Sequence, residues 1–480
     1  MKKISFLVTA SLLFLVAQIT VAEDEIRSTL NDQQEIAVTI YNEQLALVKD
    51  LRSVTLDDGF NHLAFREVSA QMRPETALLR SINHPDGFRL IEQNFDFDLL
   101  TPQKLLEKYV GKKVRVVKVH PTTGEERTEE AEVLSVNNGV VLRVGNRIET
   151  GYPGRIIYDE VPANLRDRPT LVISLESGTR KPQELQLSYL TGGLGWKADY
   201  VAELDESDKY VDLTGWVTLT NQSGATYKNA KLQLVAGDVN QVRQEMQPRR
   251  RDVLMSKSSV GAAAPAMVEE GLFEYHLYTL QRPTTISNNQ TKQVSLLSAT
   301  KIPVKKEFLL KGQDYYYRGS YGQLGQKLKV GVFVEFENKE ESNLGMPLPK
   351  GVVRVYKNDK SGNAQFVGED RIDHTPKNEE VKLKLGDAFD VTADKKQTNF
   401  KKATAIGKYS QAYIASFEIV LKNAKDEEVE VVVQEPIPGD WKMREESHAH
   451  KKVAAGTAEW KINVAAEGKA KLSYDVLVRY

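Results

Sequence analysis

Val330, Val332, Val334 and Phe336 alternate with Lys329, Gly331, Phe333 and Glu335, and a chain with that period has one regular way to bury its apolar residues. Successive side chains of a strand point to opposite faces, so period two makes one dry face and one wetter face. The pattern returns at Val429, Val431 and Val433 against Glu428, Glu430, Val432 and Gln434, and at Val381, Leu383 and Leu385 around Lys382 and Lys384. Asp57-Asp58-Gly59, Asn137-Asn138-Gly139 and Asp359-Lys360-Ser361-Gly362 punctuate such runs. Gly and Asn tolerate positive φ, so these positions predict hairpins. Many short strands with few helical patterns predict an all-β chain of multidomain β-sandwiches with little helix.

The one helical signal is short. Thr101 stands at a cap position, Pro102 at the first helical position, and Leu105, Leu106 and Tyr109 share a face. Strand patterns from Gly111 to about Tyr158 follow it, so residues 101–160 are expected to form a small SH3-like β-barrel module inserted in a larger framework. Such a module serves either as a peptide binder or as a spacer. Residues 23–100 are expected to be an N-terminal β region. Residues 161–240 and 268–345 form two parts of a further β domain, and 346–480 a C-terminal β-sandwich. Between those two parts, residues 241–267 hold Pro248-Arg249-Arg250-Arg251 and a run rich in Ser, Gly and Ala. That composition has too little apolar surface to order itself, which predicts a mobile linker loop. Its functional reading is a docking or cleavage segment for an acidic partner.

Lys2 and Lys3 precede an apolar run from Ile4 to Val16, and Thr20-Val21-Ala22 lies just before Glu23-Asp24-Glu25. A positive start, a short apolar core and a small-residue exit predict a signal peptide over residues 1–22, cleaved after Ala22, and a periplasmic or secreted protein. The run is shorter than the roughly 20 residues of a membrane span, and no later segment is apolar enough for one. The chain has no cysteine, which excludes disulfides, thiolate zinc sites and a thiol nucleophile. Its 65 basic and 66 acidic residues give a net charge of −1, so no polybasic surface points to nucleic acid.

Each candidate constellation has a bland counterpart. His448-Ala449-His450, with Glu445 and Glu446 just before, puts two imidazoles on one face of an expected strand, a weak zinc or copper candidate against a polar loop beside Lys451 and Lys452. Ser298-Ala299-Thr300-Lys301 has Ser-x-x-Lys spacing, but its apolar flanks read as strand, and that chemistry needs a helix start. Asp199, Glu203 and Asp205 are candidates for a glycosidase pair, but among so many acids any pairing is arbitrary. Tyr315, Tyr316, Tyr317 and Tyr321, with Arg318 among them, suit stacking on a glycan or peptide, and equally suit strand packing. No cofactor motif is complete: the Gly192-Gly193 and Gly195 run lacks the Lys-Ser/Thr tail of a phosphate loop.

Leu194-Gly195-Trp196-Lys197-Ala198-Asp199-Tyr200 is followed by Leu213-Thr214-Gly215-Trp216-Val217, Asn221-Gln222-Ser223-Gly224 and Leu232-Gln233-Leu234-Val235-Ala236-Gly237-Asp238. Further on come Val353-Arg354-Val355-Tyr356, Val367-Gly368-Glu369-Asp370-Arg371-Ile372, His374-Thr375-Pro376 and Leu385-Gly386-Asp387-Ala388-Phe389-Asp390-Val391. This order resembles the bacterial DUF4139 family, a domain of unknown function, over about residues 185–480. Tyr227 stands where relatives usually carry Trp, and the long coiled coil of many relatives has no counterpart here. Some relatives are labelled mucoidy inhibitors, which implies a link to exopolysaccharide without a residue-level mechanism. Within these motifs Trp196 is either a core ring or a ligand platform, and Glu369, Asp370, Asp373 and His374 form either a cation site or a charged strand end.

The expectation is an exported, non-enzymatic β-sandwich protein that binds an envelope protein or a polysaccharide. Its candidate ligand-binding residues are Trp196, Tyr315, Tyr316, Tyr317, Tyr321, Glu369, Asp370 and His374. The alternative is an envelope glycan-active or peptide hydrolase using paired carboxylates, Glu369 and Asp370 or another acidic pair.

Overall fold

The computed structural model describes residues 25–480, apart from residues 43, 153, 163, 164, 238, 241–266 and 406. The expected signal peptide and all of the expected linker loop except Met267 lie outside the described residues. Strand accounts for 64% of the protein and helix for 5%, so the class is all-β. Among the described residues no helix is long and apolar enough to cross a membrane. The chain divides into two compact units, Met1–Ile36 with Val48–Leu190, and Ala37–Leu47 with Thr191–Tyr480.

The first unit holds a four-stranded sheet in the order Glu25–Ser28, Gly59–Arg66, Thr170–Ser177, Phe88–Asp96. Leu63, Phe65, Leu171, Ile173 and Leu175 bury its apolar rows. Arg52 is fully buried in the same unit, where its guanidinium donates to Asp50 Oδ2 at 2.8 Å and to the Arg66 carbonyl at 2.9 Å. Asp57-Asp58-Gly59, expected to close a hairpin, instead joins strands of different sheets. The Asn61 amide holds this turn from within, accepting from Asp57 N–H at 2.7 Å and donating to the Asp57 carbonyl at 2.8 Å.

A smaller body lies within this unit. The helix Pro102–Lys108 starts where the Thr101 hydroxyl accepts from the Lys104 N–H at 3.1 Å. A five-stranded antiparallel sheet follows, in the order Arg147–Thr150, Val141–Val144, Glu126–Ser135, Lys113–Val119, Arg155–Ile157. Leu106 and Tyr109 of the helical segment pack with Val114, Val116, Val133 and Leu142 in its own core.

The second unit contains a five-stranded sheet in the order Gln290–Pro303, Tyr210–Asn221, Leu194–Leu204, Gly351–Asn358, Ala364–Ile372. Leu194–Leu204 and Gly351–Asn358 run parallel, and the other pairs are antiparallel. Residues 37–41 add a parallel partner to Tyr227–Ala236, which also pairs with Tyr275–Leu280. The last sheet has nine strands, in the order Asp440–Glu446, Lys469–Arg479, Ala412–Asn423, Glu380–Ala403, Gln323–Glu337, Lys305–Lys311, Val429–Pro436, Thr457–Val464, Lys451–Ala454. Strands far apart in that order share one core: Trp460 stacks on Tyr474 with centroids 4.9 Å apart, and Phe417 lies 5.1 Å from Tyr474. The sheet therefore closes over its own apolar face, as a right-twisted sheet of many strands does. Both sheets draw strands from before and after residue 345, since Gly351–Asn358 joins Leu194–Leu204 while Gln323–Glu337 joins Glu380–Ala403.

Candidate functional site

The most unusual chemistry in the second unit is a charged centre inside the nine-stranded sheet. Val391 and Ala393 point inward from Glu380–Ala403, and the next residue in phase is Lys395. Val429, Val431 and Val433 point inward from Val429–Pro436, and the next in phase is Glu435. Lys395 Nζ donates to both Glu435 oxygens at 2.6 Å. The Tyr317 hydroxyl donates to Glu435 Oε2 at 2.9 Å and lies 2.8 Å from the Tyr474 hydroxyl. The ammonium also sits 4.4 Å from the Tyr316 ring centroid and 5.0 Å from that of Phe417. Burial holds Lys395 below the usual lysine range, against the pull of Glu435. Burial likewise pushes Tyr317 and Tyr474 well up. A cavity of about 120 Å³ lined by Leu310, Gly312, Tyr316, Leu328, Lys395 and Glu435 adjoins the pair. Gly312 is required there, because a Cβ would lie 2.2 Å from Glu435 Oε2.

The tyrosine candidates divide around this centre. They lie on and just after the 3₁₀ turn Asp314–Tyr317, which turns Tyr316 and Tyr317 into the core and leaves Tyr315 and Tyr321 exposed. The Gln397 amide fixes the turn by donating to the carbonyls of Tyr316 at 3.1 Å and Gly319 at 3.0 Å. Tyr315 and Tyr321 meet edge to face, with centroids 5.8 Å apart at 75°, which leaves no flat two-ring platform. Burial, helped by Tyr315 and Glu435, pushes Tyr316 up to about 12.

Glu369 belongs to a polar ladder that crosses the five-stranded sheet. Its carboxylate meets Arg354 Nε at 3.2 Å, and Arg354 Nη1 donates to Asp199 Oδ1 at 3.1 Å. Asp199 Oδ2 accepts from Thr218 Oγ1 at 2.8 Å, and Thr218 in turn accepts from Gln293 Nε2 at 3.2 Å. Asp370 instead ties the sheet's edge to the neighbouring strand, accepting from the Arg371 N–H at 2.8 Å and the Lys384 N–H at 2.7 Å. His374 Nδ1 accepts from the Lys350 N–H at 3.3 Å, and its Nε2 lies 3.5 Å from Asn42 Nδ2. Trp196 is 9% exposed on Leu194–Leu204, and its indole N–H has no hydrogen-bond partner among the described residues.

His448 and His450 lie in the turn between Asp440–Glu446 and Lys451–Ala454, not on a strand as expected. Glu446 makes the turn: its carboxylate takes the Trp460 Nε1–H at 3.0 Å and the His450 backbone N–H at 3.2 Å, and lies 2.9 Å from His450 Nδ1. His448 Nδ1 lies 2.9 Å from Ser447 Oγ. No group of three or more His, Asp or Glu poised for a metal occurs among the described residues.

One surface in the first unit escaped the sequence reading. Phe88–Asp96 ends its sheet, with Thr170–Ser177 on one side only. A register shift opposite Ser174 and Leu175 skips Ile91, so the strand bulges there. Leu90 and Ile91 are exposed on this strand, as are Phe97, Leu99 and Leu100 just beyond it; Ile91 is 47% exposed and Phe97 66%. The signal was legible as Leu90-Ile91 within a strand of no clean alternation, with Leu99-Leu100 just after it.

No curated protein matches the chain. Residues 185–480 match the family described as a domain of unknown function (DUF4139), and over that span, more than half its length, the protein belongs to the DUF4139 family.

Proposed function

We propose that this protein is an exported, non-enzymatic binding protein of the bacterial cell envelope, and that it holds a protein partner along the apolar edge of its first unit. The observation that carries the reading is the edge strand Phe88–Asp96 with Leu90, Ile91 and Phe97 exposed. An edge strand offers unpaired backbone donors and acceptors to an extended segment, and exposed apolar side chains give that segment something to bury. Export rests on Lys2 and Lys3, the apolar run Ile4 to Val16 and the small-residue exit Thr20-Val21-Ala22. The test is a photo-crosslinking residue placed at Ile91 in intact cells, with one at Lys461 as control. One protein captured from Ile91, absent from Lys461 and lost on Leu90→Lys, is the expected result. Capture that is equal at both positions would overturn it.

The second reading, a glycan-active or peptide hydrolase, is favoured by one acidic pair. Burial together with the nearby Glu335 charge raises the Glu380 carboxyl. Lys382 pairs with Glu335 and with Glu307 beside them. Hydrolysis of a glycan or peptide by the purified protein, abolished by Glu380→Gln, would establish this reading in place of the first.

A further inference from the structure

We infer that a pocket in the second unit binds an amphiphilic anion, a carboxylate or phosphate carrying one short alkyl chain. Where Ala364–Ile372 approaches Glu380–Ala403, Leu204, Val332, Val334, Val367 and Leu385 line a cavity of about 240 Å³. The close approach depends on Gly368, where a Cβ would lie 2.3 Å from the Leu385 carbonyl oxygen. These five side chains come from four strands of two sheets, and Asp208, Lys306, Lys357 and Asp387 share the lining with them. The volume lies below the roughly 300–1,000 Å³ usual for a ligand site, so it suits a single short chain.

On the Asp208 side of the lining the lysines outnumber the carboxylate. Asp208 pairs with both Lys306, at 2.9 Å, and Lys357. Asp387 pairs with both Lys329, at 3.5 Å, and Lys384, at 3.4 Å. Lys329 and Lys384 stand outside the lining and neutralise Asp387, whereas Lys306 and Lys357 both line the cavity and share the single Asp208 carboxylate, so an anionic head there meets one unmatched positive charge. Lys306 and Lys357 are 34% and 30% exposed, so they can turn toward a ligand without leaving the wall. A chain end on the valines and a carboxylate between the lysines satisfies both halves of the pocket. A neutral glycan satisfies neither. This inference is independent of the partner-binding edge of the first unit.

The test uses the purified protein and calorimetric titration with decanoate, decylamine and decyl phosphate below their micelle concentrations. The inference expects saturable binding of one equivalent of decanoate or decyl phosphate and none of decylamine. Val367→Trp, at an exposed position in the pocket lining, fills the space and should abolish binding with the urea midpoint unchanged. Lys357→Gln should weaken it about tenfold, as the loss of one charge-assisted hydrogen bond does. Co-flotation with anionic phospholipid vesicles, lost in Val367→Trp, would make the natural source a lipid chain; decanoate binding without flotation would make it a free acid. Equal binding of decylamine, binding untouched by Val367→Trp, or no heat with either anion would overturn the inference.

Discussion

Lys395 Nζ lies 2.6 Å from both oxygens of Glu435, and both residues continue rows that are otherwise apolar and inward-facing. Two charges taken out of water lose several kcal/mol of hydration each, which their attraction offsets only when the remaining polar positions are filled. Here the Tyr317 hydroxyl fills one of them at 2.9 Å, and the rings of Tyr316 and Phe417 take the ammonium's flanks. The pair fixes register: sliding Val429–Pro436 by one residue would put Glu435 outside and leave Lys395 buried alone.

Lys395→Met is therefore expected to cost about 3–5 kcal/mol, because it strands the Glu435 charge. Adding Glu435→Leu should restore most of that loss, since Tyr317 and Tyr474 retain each other at 2.8 Å. Urea unfolding of the two single variants and the double checks this. Losses that simply add would show that the two groups act independently.

The regular part of this centre was legible and the centre was not. Val330, Val334 and Phe336 are buried, as are Val429, Val431 and Val433, and the Thr101 cap opens the short helix. Period two fixes which residues share a face, and that is local information. It does not say which strands meet. Tyr317, Lys395, Glu435 and Tyr474 come from four separated segments that only the nine-stranded order brings together. The one local clue is a charged residue arriving in phase, Lys395 after Val391 and Ala393 and Glu435 after Val433. The tyrosine run could not show its division either, since one 3₁₀ turn leaves Tyr315 exposed and turns Tyr316 and Tyr317 inward.

Gly368→Ala is expected to destabilise the protein by about 1–3 kcal/mol, the usual effect of forcing an atom into a packed site. The new Cβ would meet backbone, the Leu385 carbonyl oxygen at 2.3 Å, which has no side-chain freedom to yield. The matched control is Gly362→Asn, at a turn with φ of 83° and open space around it. A smaller loss at residue 368 than at 362 would remove the close approach from the account of the pocket.

Zinc, copper or a chelator should leave the melting temperature unchanged, because the Glu446 carboxylate is already shared between Trp460 Nε1 and His450. Glu446→Ala should cost about 1–3 kcal/mol by leaving the Trp460 N–H without an acceptor. A metal-dependent rise in melting temperature that disappears in His450→Ala would instead establish a site at this turn.

Asp205 provides a pH test. The Ser207 hydroxyl and the Tyr210 and Lys209 N–H groups hold its carboxylate, lowering it from 3.8 to about 2. A carboxyl depressed in the folded state stabilises fully above its unfolded value and loses that contribution as pH falls through the folded one. The gap in urea midpoint between the native protein and Asp205→Asn should be constant above pH 3.8 and should close toward pH 2. A gap that persists unchanged at pH 2 would assign the effect to packing of the turn.

Trp196 decides between a core ring and a ligand platform. At 9% exposure the ring is interior, and Leu194, Ala198 and Tyr200 beside it on the same strand are buried as well. Trp196→Ala should therefore cost about 3–5 kcal/mol, the range for removing a large buried aromatic. Trp196→Phe should cost less, because it deletes the indole N–H, which lacks a partner among the described residues, and retains most of the apolar surface. A platform behaves differently: both substitutions would leave the urea midpoint near that of the native protein and would weaken ligand binding instead. The ordering Ala well below Phe, with Phe close to native, follows only if the ring holds the sheet's core together.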